Sequence, residues 1–301
     1  MGNGDRGLGP VGVWFDPDPL PVGELLAFTA RVEALGCGTL WVPETAGREP
    51  YALVGLLAGA TASIGLGTAI VSIWGHDAQT SRMAALTLQE ESGGRFTLGL
   101  GVSHLHLAQK LRGHVYEKPL TRMREYLEAY HAAKYRAPIP EREPLVVLAA
   151  LRERMLALAA TAADGAFPYL VTTDRLAWTR GVLDAAADVV GGARPLLCVT
   201  LPCVLATDPA DARAAARAYL QPYLRTPNYQ AAWVEQGFEE ADWALPGSDR
   251  MVDAMVAWGD ADALRARLGE LQAAGADHVA IIPIDERGDT VALPVLEALA
   301  R

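Results

Sequence analysis

Cysteine is scarce in this 301-residue chain; Cys37, Cys198 and Cys203 are its three examples. An odd number without Cys-x-x-Cys spacing argues against a disulfide framework and a cysteine-built zinc site, and leaves buried thiols. Lysine is as rare, at Lys110, Lys118 and Lys134 alone. Acidic residues outnumber basic ones 36 to 26, for a net charge of −10. A nucleic-acid binder would carry a basic face, so that partner class is set aside. An anionic ligand would need a local cluster of arginines instead. No apolar run reaches the length of a membrane span, and the opening Met1 to Arg6 lacks the apolar core of a signal peptide. The expectation is a cytoplasmic protein without a membrane partner. Hydrophobic residues make up 51% and charged residues 21%, enough for a sizeable core and against disorder.

What is present is an alternation of short apolar runs and longer amphipathic stretches. Strands are expected at Val11 to Phe15, Thr39 to Val42, Ile64 to Val71, Phe96 to Leu100, Leu145 to Ala149, Gly165 to Tyr169, Leu196 to Ala206 and His278 to Pro283. Helical patterns lie between them: Val22 to Leu35 with Gly36 as its terminating glycine, Tyr51 to Ala60, Gln79 to Glu91, Leu120 to Lys134, Arg152 to Ala163 and Asp174 to Val190. Pro138-Ile-Pro140 marks a turn, not a boundary. Eight strand–helix units make an α/β fold of the (β/α)8 barrel kind. A doubly wound sheet would more typically place a glycine-rich loop after the first strand, and none is there. About 70 residues separate the seventh and eighth strands. Asp211 to Leu224, Tyr229 to Gln236, Asp249 to Trp258 and Ala261 to Ala274 in that interval have helical periodicity. The expectation is one barrel domain over 1–301, with a helical insertion at about 207–258 forming a lid or a subunit contact.

Active sites of such barrels collect at the C-terminal ends of the strands. Those ends carry Trp14 and Phe15, then Glu44, then Ala69 to Ile73 with His76. Next come Ser103 and His104, Ala150 with Arg152 and Arg154, and Tyr169. The set is aromatic, weakly polar and partly basic. It contains no nucleophile triad, two-metal carboxylate cluster or phosphate-binding glycine loop, and suits a flat, conjugated, partly anionic ligand. Glu44 could accept from a ligand ring N–H or hydroxyl, or simply cap the next helix. His104 follows a Gly-x-Gly strand end, where it could act as a general acid or donate to a ligand oxygen. His106 and His114 lie close in sequence, but without a nearby acidic partner no metal is expected. His76 could face the pocket, or stand beside a cap made by Asp77. His131 and His278 read as packing residues. Arg152 and Arg154 open a helix, whose N-terminus attracts anions, so they could clamp a phosphate or be ordinary solvated charges. Trp14, Trp41 and Trp74 are core or wall.

Gly94-Arg-Phe-Thr-Leu-Gly-Leu-Gly-Val-Ser-His104 resembles the fourth-strand signature of the luciferase-like monooxygenase superfamily, in its branch of coenzyme F420-dependent oxidoreductases. Leu40-Trp-Val-Pro-Glu44, Gly47-Arg-Glu-Pro50, Tyr116 to Leu127, Val147 to Ala150, Ala163 to Tyr169, Leu224 to Tyr229, Ser248 to Asp253 and Ala274 to Val279 are similar to that branch too. The resemblance runs from about residue 10 to 284. It implies a (β/α)8 barrel, usually a homodimer, with a deazaflavin at the strand C-termini. It also implies a non-proline cis peptide or bulge on the third strand, here Ala69–Ile70. Carried over, Glu44 would touch the cofactor ring or ribityl side, and Ala69, Ile70 and Val71 would back the ring. Ser103 and His104 would stand by the reacting face, and Ala149, Ala150, Arg152 and Arg154 would hold the phosphate. From their strand-end positions, Trp14 and Tyr169 are added as candidate cofactor-binding residues. Two positions depart from the pattern. Arg152 replaces a common glycine. Thr45 stands where some F420 dehydrogenases place a catalytic histidine, which makes His104 or a bound water the proton donor.

The expected activity is F420-dependent hydride transfer between deazaflavin C5 and a small organic substrate, with Glu44 and His104 as the catalytic pair. Reduction of an activated C=C or C=N bond in specialised metabolism is one instance, and alcohol oxidation another. The alternatives are an FMN-dependent luciferase-like monooxygenase and a non-catalytic barrel.

Overall fold

Parallel strands buried on both faces read as unbroken apolar runs, and those runs enter the barrel here. In the computed structural model, which describes residues 7–300, they are β1 (Val11–Trp14), β2 (Thr39–Val42), β3 (Gly65–Thr68), β4 (Val71–Ser72), β5 (Phe96–Gly101), β6 (Leu145–Leu148), β7 (Gly165–Ala166), β8 (Leu196–Leu205), β9 (Ala257–Gly259) and β10 (His278–Ile284). The order runs β1, β2, β3, β5, β6, β7, β8, all parallel. β10 closes the ring by pairing with both β8 and β1. This is the expected (β/α)8 barrel.

The helices are α1 (Val22–Ala34), α2 (Pro50–Ala60), α3 (Ala78–Glu91), α4 (Pro119–Ala132), α5 (Glu153–Ala162), α6 (Thr173–Val190), α7 (Pro209–Leu224), α8 (Pro227–Val234), α9 (Glu240–Trp243), α10 (Asp249–Met255), α11 (Ala261–Ala273) and α12 (Leu293–Leu299). Their starts are fixed chemically. Asp77, Thr172, Asp208 and Asp260 each accept from a first-turn N–H of α3, α6, α7 and α11. Gly36 ends α1 with a positive φ of 77°, a conformation that costs glycine nothing.

Three boundaries differ from the sequence reading. The third strand is interrupted: β3 stops at Thr68, the Ala69–Ile70 peptide is cis, and β4 resumes at Val71 against β5. The sixth strand pairs only over Gly165 and Ala166, because the chain then turns out to form the cavity wall. Helix α10 stops at Met255, short of Trp258; Ala257–Gly259 instead pairs with the far end of β8, where β7 no longer reaches.

Two apolar layers hold the barrel. Between sheet and helices lie Val13, Leu40, Leu66, Leu98, Val146 and their neighbours. Inside the barrel, Trp41 packs edge-on against Phe167 at 4.9 Å between centroids and donates to His278 Nε2 at 2.8 Å. His278 Nδ1 bonds the Gly9 carbonyl at 2.7 Å, so this histidine is structural, as read. Gly67 leaves room for the Trp41 ring, which would stand 2.3 Å from an added Cβ. The inner layer continues upward without a break into α7, α8 and α10 through Trp14, Tyr219, Tyr229, Trp233 and Met251. The insertion therefore shares the barrel's own core. Cys198 and Cys203 are buried and Cys37 half-buried, all as free thiols. Among the described residues no helix is long and apolar enough to cross a membrane.

Candidate functional site

The strand C-termini open into a cavity of about 1250 Å³. The strand ends supply Trp14, Asp16, Glu44, Ala69, Ile70, Ser103, His104, Ala149, Ala150 and Tyr169 to its lining, and Arg152 and Arg154 follow β6. One expected residue is not there. Val71 is fully buried in the layer between sheet and helices, because its side chain points outward from β4.

The floor is the interruption after β3. Trp14 donates its indole N–H to the Ala69 carbonyl at 2.9 Å, which ties the end of β1 to the break. Gly99 and Gly101 on β5 face the same place. A Cβ at Gly99 would stand 1.9 Å from the Thr68 carbonyl oxygen, and one at Gly101 would stand 2.6 Å from Ile70 Cδ1. Their missing side chains thus admit the break and the Ile70 side chain.

Glu44 ends the extended segment after β2. One of its oxygens accepts from Ser72 N–H at 2.7 Å and the other pairs with Arg112. His76 Nε2 lies 3.7 Å away, and the side chain is only 4% exposed. Arg112 follows a π-helical turn over Leu107–Leu111 and was not singled out from sequence. The carboxylate braces β2, β4 and the loop after β5 at the border of the cavity. His76 sits beside this brace and Asp77 caps α3. Thr45 gives its hydroxyl to Asp18.

His104 is mostly buried, and its Nδ1 is enclosed without a hydrogen-bond partner. Burial, with help from the neighbouring His106 ring, pushes its pKa down to about 4. It is neutral at physiological pH, with a ring nitrogen uncommitted beside the cavity. Ser103 before it takes a positive φ of 54°. Asp16 on the same cavity has its carboxyl pKa raised, chiefly by burial and further by Asp18 and Asp289.

Arg152 is the N-cap of α5, and no side chain caps that helix. The insertion reaches this end through Glu235, 3.8 Å from Arg152 and 2.5 Å from Arg175. Arg175 in turn lies over the Trp178 ring at 3.6 Å. α7 and α8 add Tyr219, Tyr223, Asn228 and Tyr229 to the wall. The sequence reading passed over these tyrosines individually. Their signal was the i, i+4 spacing of Tyr219 and Tyr223 on one helix face. Trp41 and Trp74 are not in the lining.

The family model for luciferase-like monooxygenases matches residues 8–278. The chain belongs to this family. A Mycobacterium tuberculosis protein whose name assigns it by inference to the coenzyme F420-dependent oxidoreductases is 26% identical, over 88% of this chain and 91% of its own. Among solved structures, an F420-dependent secondary alcohol dehydrogenase in complex with an F420-acetone adduct superposes with a TM-score of 0.77 at 13% identity, covering 96% of this chain and 98% of that one. The FMN-bound oxygenating constituent of 3,6-diketocamphane monooxygenase from Pseudomonas putida superposes at 0.73 and 15% identity, covering 97% and 96%. Both structures share the fold of this luciferase-like chain. The cavity described above opens at the strand ends, where barrel enzymes keep their chemistry.

Proposed function

We propose that this luciferase-like chain is an F420-dependent oxidoreductase that transfers a hydride between deazaflavin C5 and a small organic substrate. The observation that carries the reading is the cavity itself. It has a floor at Ala69 and Ile70, an uncommitted buried nitrogen on His104, and two arginines at an uncapped helix start. Those groups fit a planar cofactor with an anionic tail. Ala69, Ile70 and Trp14 would back the ring. The open N–H groups at the start of α5, with Arg152 and Arg154, would take the phosphate. The cofactor, when bound, supplies the hydride. The chain orients the reactants, excludes water and offers neutral His104 as a proton-handling group. Glu44 keeps the wall around that group in place. Reduction of an activated C=C or C=N bond in specialised metabolism fits this arrangement, as does alcohol oxidation. Assembly as a homodimer is part of the same reading.

Support comes from the mycobacterial relative's name and from the cavity chemistry. The FMN-bound neighbour favours a second reading, an FMN-dependent monooxygenase. Titration with F420 and with FMN, each followed by fluorescence, separates them. Saturable binding of F420 with weaker or no binding of FMN is expected. Tight FMN binding with oxygen uptake would instead establish the second reading.

A further inference from the structure

Three tyrosines meet on one wall of the cavity. Tyr169 follows β7, and Tyr219 and Tyr223 stand about one turn apart on α7. The Tyr169 and Tyr219 hydroxyls are hydrogen-bonded, and the Tyr223 ring packs against both rings. The rings pack at 5.1 Å (Tyr169–Tyr223) and 5.5 Å (Tyr219–Tyr223) between centroids. Tyr229 of α8 leans on Tyr169 at 5.7 Å, and His104 leans on Tyr229 at 5.2 Å. On the other side, Trp14 is 6.4 Å from Tyr169 and is tied to the Ala69 carbonyl. The cluster is thus joined by ring contacts to both His104 and the floor.

Packing alone does not explain the hydroxyls. Phenylalanine would fill the same volume without the cost of taking hydroxyls into a buried or half-buried aromatic wall. Burial holds all three phenols in their protonated form. Fixed O–H donors in a dry pocket suit an oxygen on which negative charge develops during reaction. They do not suit a resident carboxylate, because they carry no positive charge and Asp16 lies within electrostatic reach of Tyr223. The aromatic walls add a preference for a flat partner.

We infer that the hydroxyls of Tyr169, Tyr219 and Tyr223 form the acceptor subsite, taking the carbonyl oxygen of a neutral, planar, conjugated carbonyl compound. This rests on the hydride-transfer reading above. Hydride addition at the β-carbon of such a compound moves the C=C electron pair towards the oxygen as an enolate. A tyrosine O–H stabilises that oxygen, and a solvent proton at the α-carbon completes the reduction. The hydride comes from the reduced deazaflavin, which is left oxidised.

The test uses the full chain and 4-(dimethylamino)cinnamaldehyde, whose absorption moves to longer wavelength when its carbonyl accepts a hydrogen bond. Wild type should bind it with a red-shifted band. Tyr219→Phe and Tyr223→Phe should each shrink the shift and weaken binding about two- to tenfold, the range for one hydrogen bond. Both variants keep the ring, and near-ultraviolet circular dichroism checks their packing. F420 titration of the same variants should match wild type. Absence of binding, binding without a shift, or an undiminished shift in the double variant would overturn the subsite. A wild type that shifts the probe yet binds neither F420 nor FMN would sink the hydride-transfer reading instead.

Discussion

Alanine at Gly101 tests how the cavity floor is built. The new Cβ would stand 2.6 Å from Ile70 Cδ1, 2.7 Å from Ile70 Cγ1 and 3.3 Å from the Ala149 Cβ. The two shortest contacts are with a flexible side chain that borders the cavity. Gly101→Ala should therefore fold, with Ile70 turned into the ligand space. Overpacking of this kind costs about 1–3 kcal/mol. In a chain somewhat above the 150–250-residue range, each kcal/mol lowers the melting temperature by roughly 2–4 °C. The displaced Ile70 should also cost roughly tenfold in affinity for a planar cofactor, which corresponds to about 1.4 kcal/mol. Gly99→Ala should behave differently. Its Cβ would meet a backbone oxygen at 1.9 Å, and Thr68 and Gly99 already exchange hydrogen bonds of 2.9 and 3.0 Å. That variant should not accumulate in soluble form. The decisive comparison is Ile70→Ala with and without Gly101→Ala. Thermal melts and fluorescence titrations should give the double variant the same values as Ile70→Ala alone, because the clashing atoms are gone. Strictly additive losses, or a Gly101→Ala protein with wild-type melting and affinity, would refute this account of the floor.

Stability should fall as pH drops from 6.5 to about 4. His104 and His278 are both held near 4 in the fold, so the unfolded chain binds more protons across that window. Each contributes at most about 3 kcal/mol. Urea melts at pH 7 and 5 should show the loss, and His104→Asn should reduce it; an unchanged pH slope in that variant would contradict the burial assigned to His104. Glu235→Gln should raise affinity for a phosphate-bearing cofactor by up to about fivefold, since exposed pairs such as Arg152–Glu235 are worth about 0.2–1 kcal/mol; the gain should vanish at high salt. Glu33 accepts from Ala62 N–H, Ser63 N–H, Ser63 hydroxyl and Ile64 N–H, at 2.6–3.0 Å, joining α1 to the turn before β3. Glu33→Ala should cost about 2 kcal/mol by denaturant melts. These bonds lower the Glu33 pKa to about 2. Its contribution is therefore complete above pH 4.5 and is lost towards pH 2, so wild type and variant should converge in acid.

The barrel was legible because its strands are apolar on both faces and regularly spaced. Trp14, Ser103, His104 and Ala150 were legible as cavity residues because each follows directly from a strand end. What escaped was tertiary. Glu44 reads as an available carboxylate until Arg112, 68 positions away, is seen to pair with it. Gly99 and Gly101 carry no local sign that Thr68 and Ile70 fill the space their missing side chains leave. Asp16 was hidden because a run of Asp and Pro after β1 looks like a turn; its raised pKa comes from burial that no local pattern encodes.

The cavity is built by two kinds of structure. Trp14, Ala69, Ile70 and His104 sit on or directly after barrel strands, where parallel hydrogen bonds fix the backbone. Tyr219, Tyr223, Tyr229 and Glu235 sit on helices α7 and α8 or just beyond, which are held to the barrel by the shared apolar layer and by the Trp233 N–H donated to the Leu170 carbonyl at 3.0 Å. A change in α7 or α8 can alter the shape of the wall without disturbing any strand. Acceptor choice should therefore respond to substitutions in the insertion, and the cofactor site to substitutions at strand ends. Arg152 is where the two meet, through Glu235. Occupation of the helix start by an anion would compete with that carboxylate and loosen the insertion's hold. Hydrogen exchange of α8 with and without inorganic phosphate measures the link; faster exchange of the Pro227–Val234 amides on adding phosphate is the expected result, and identical exchange would show that the two parts act independently.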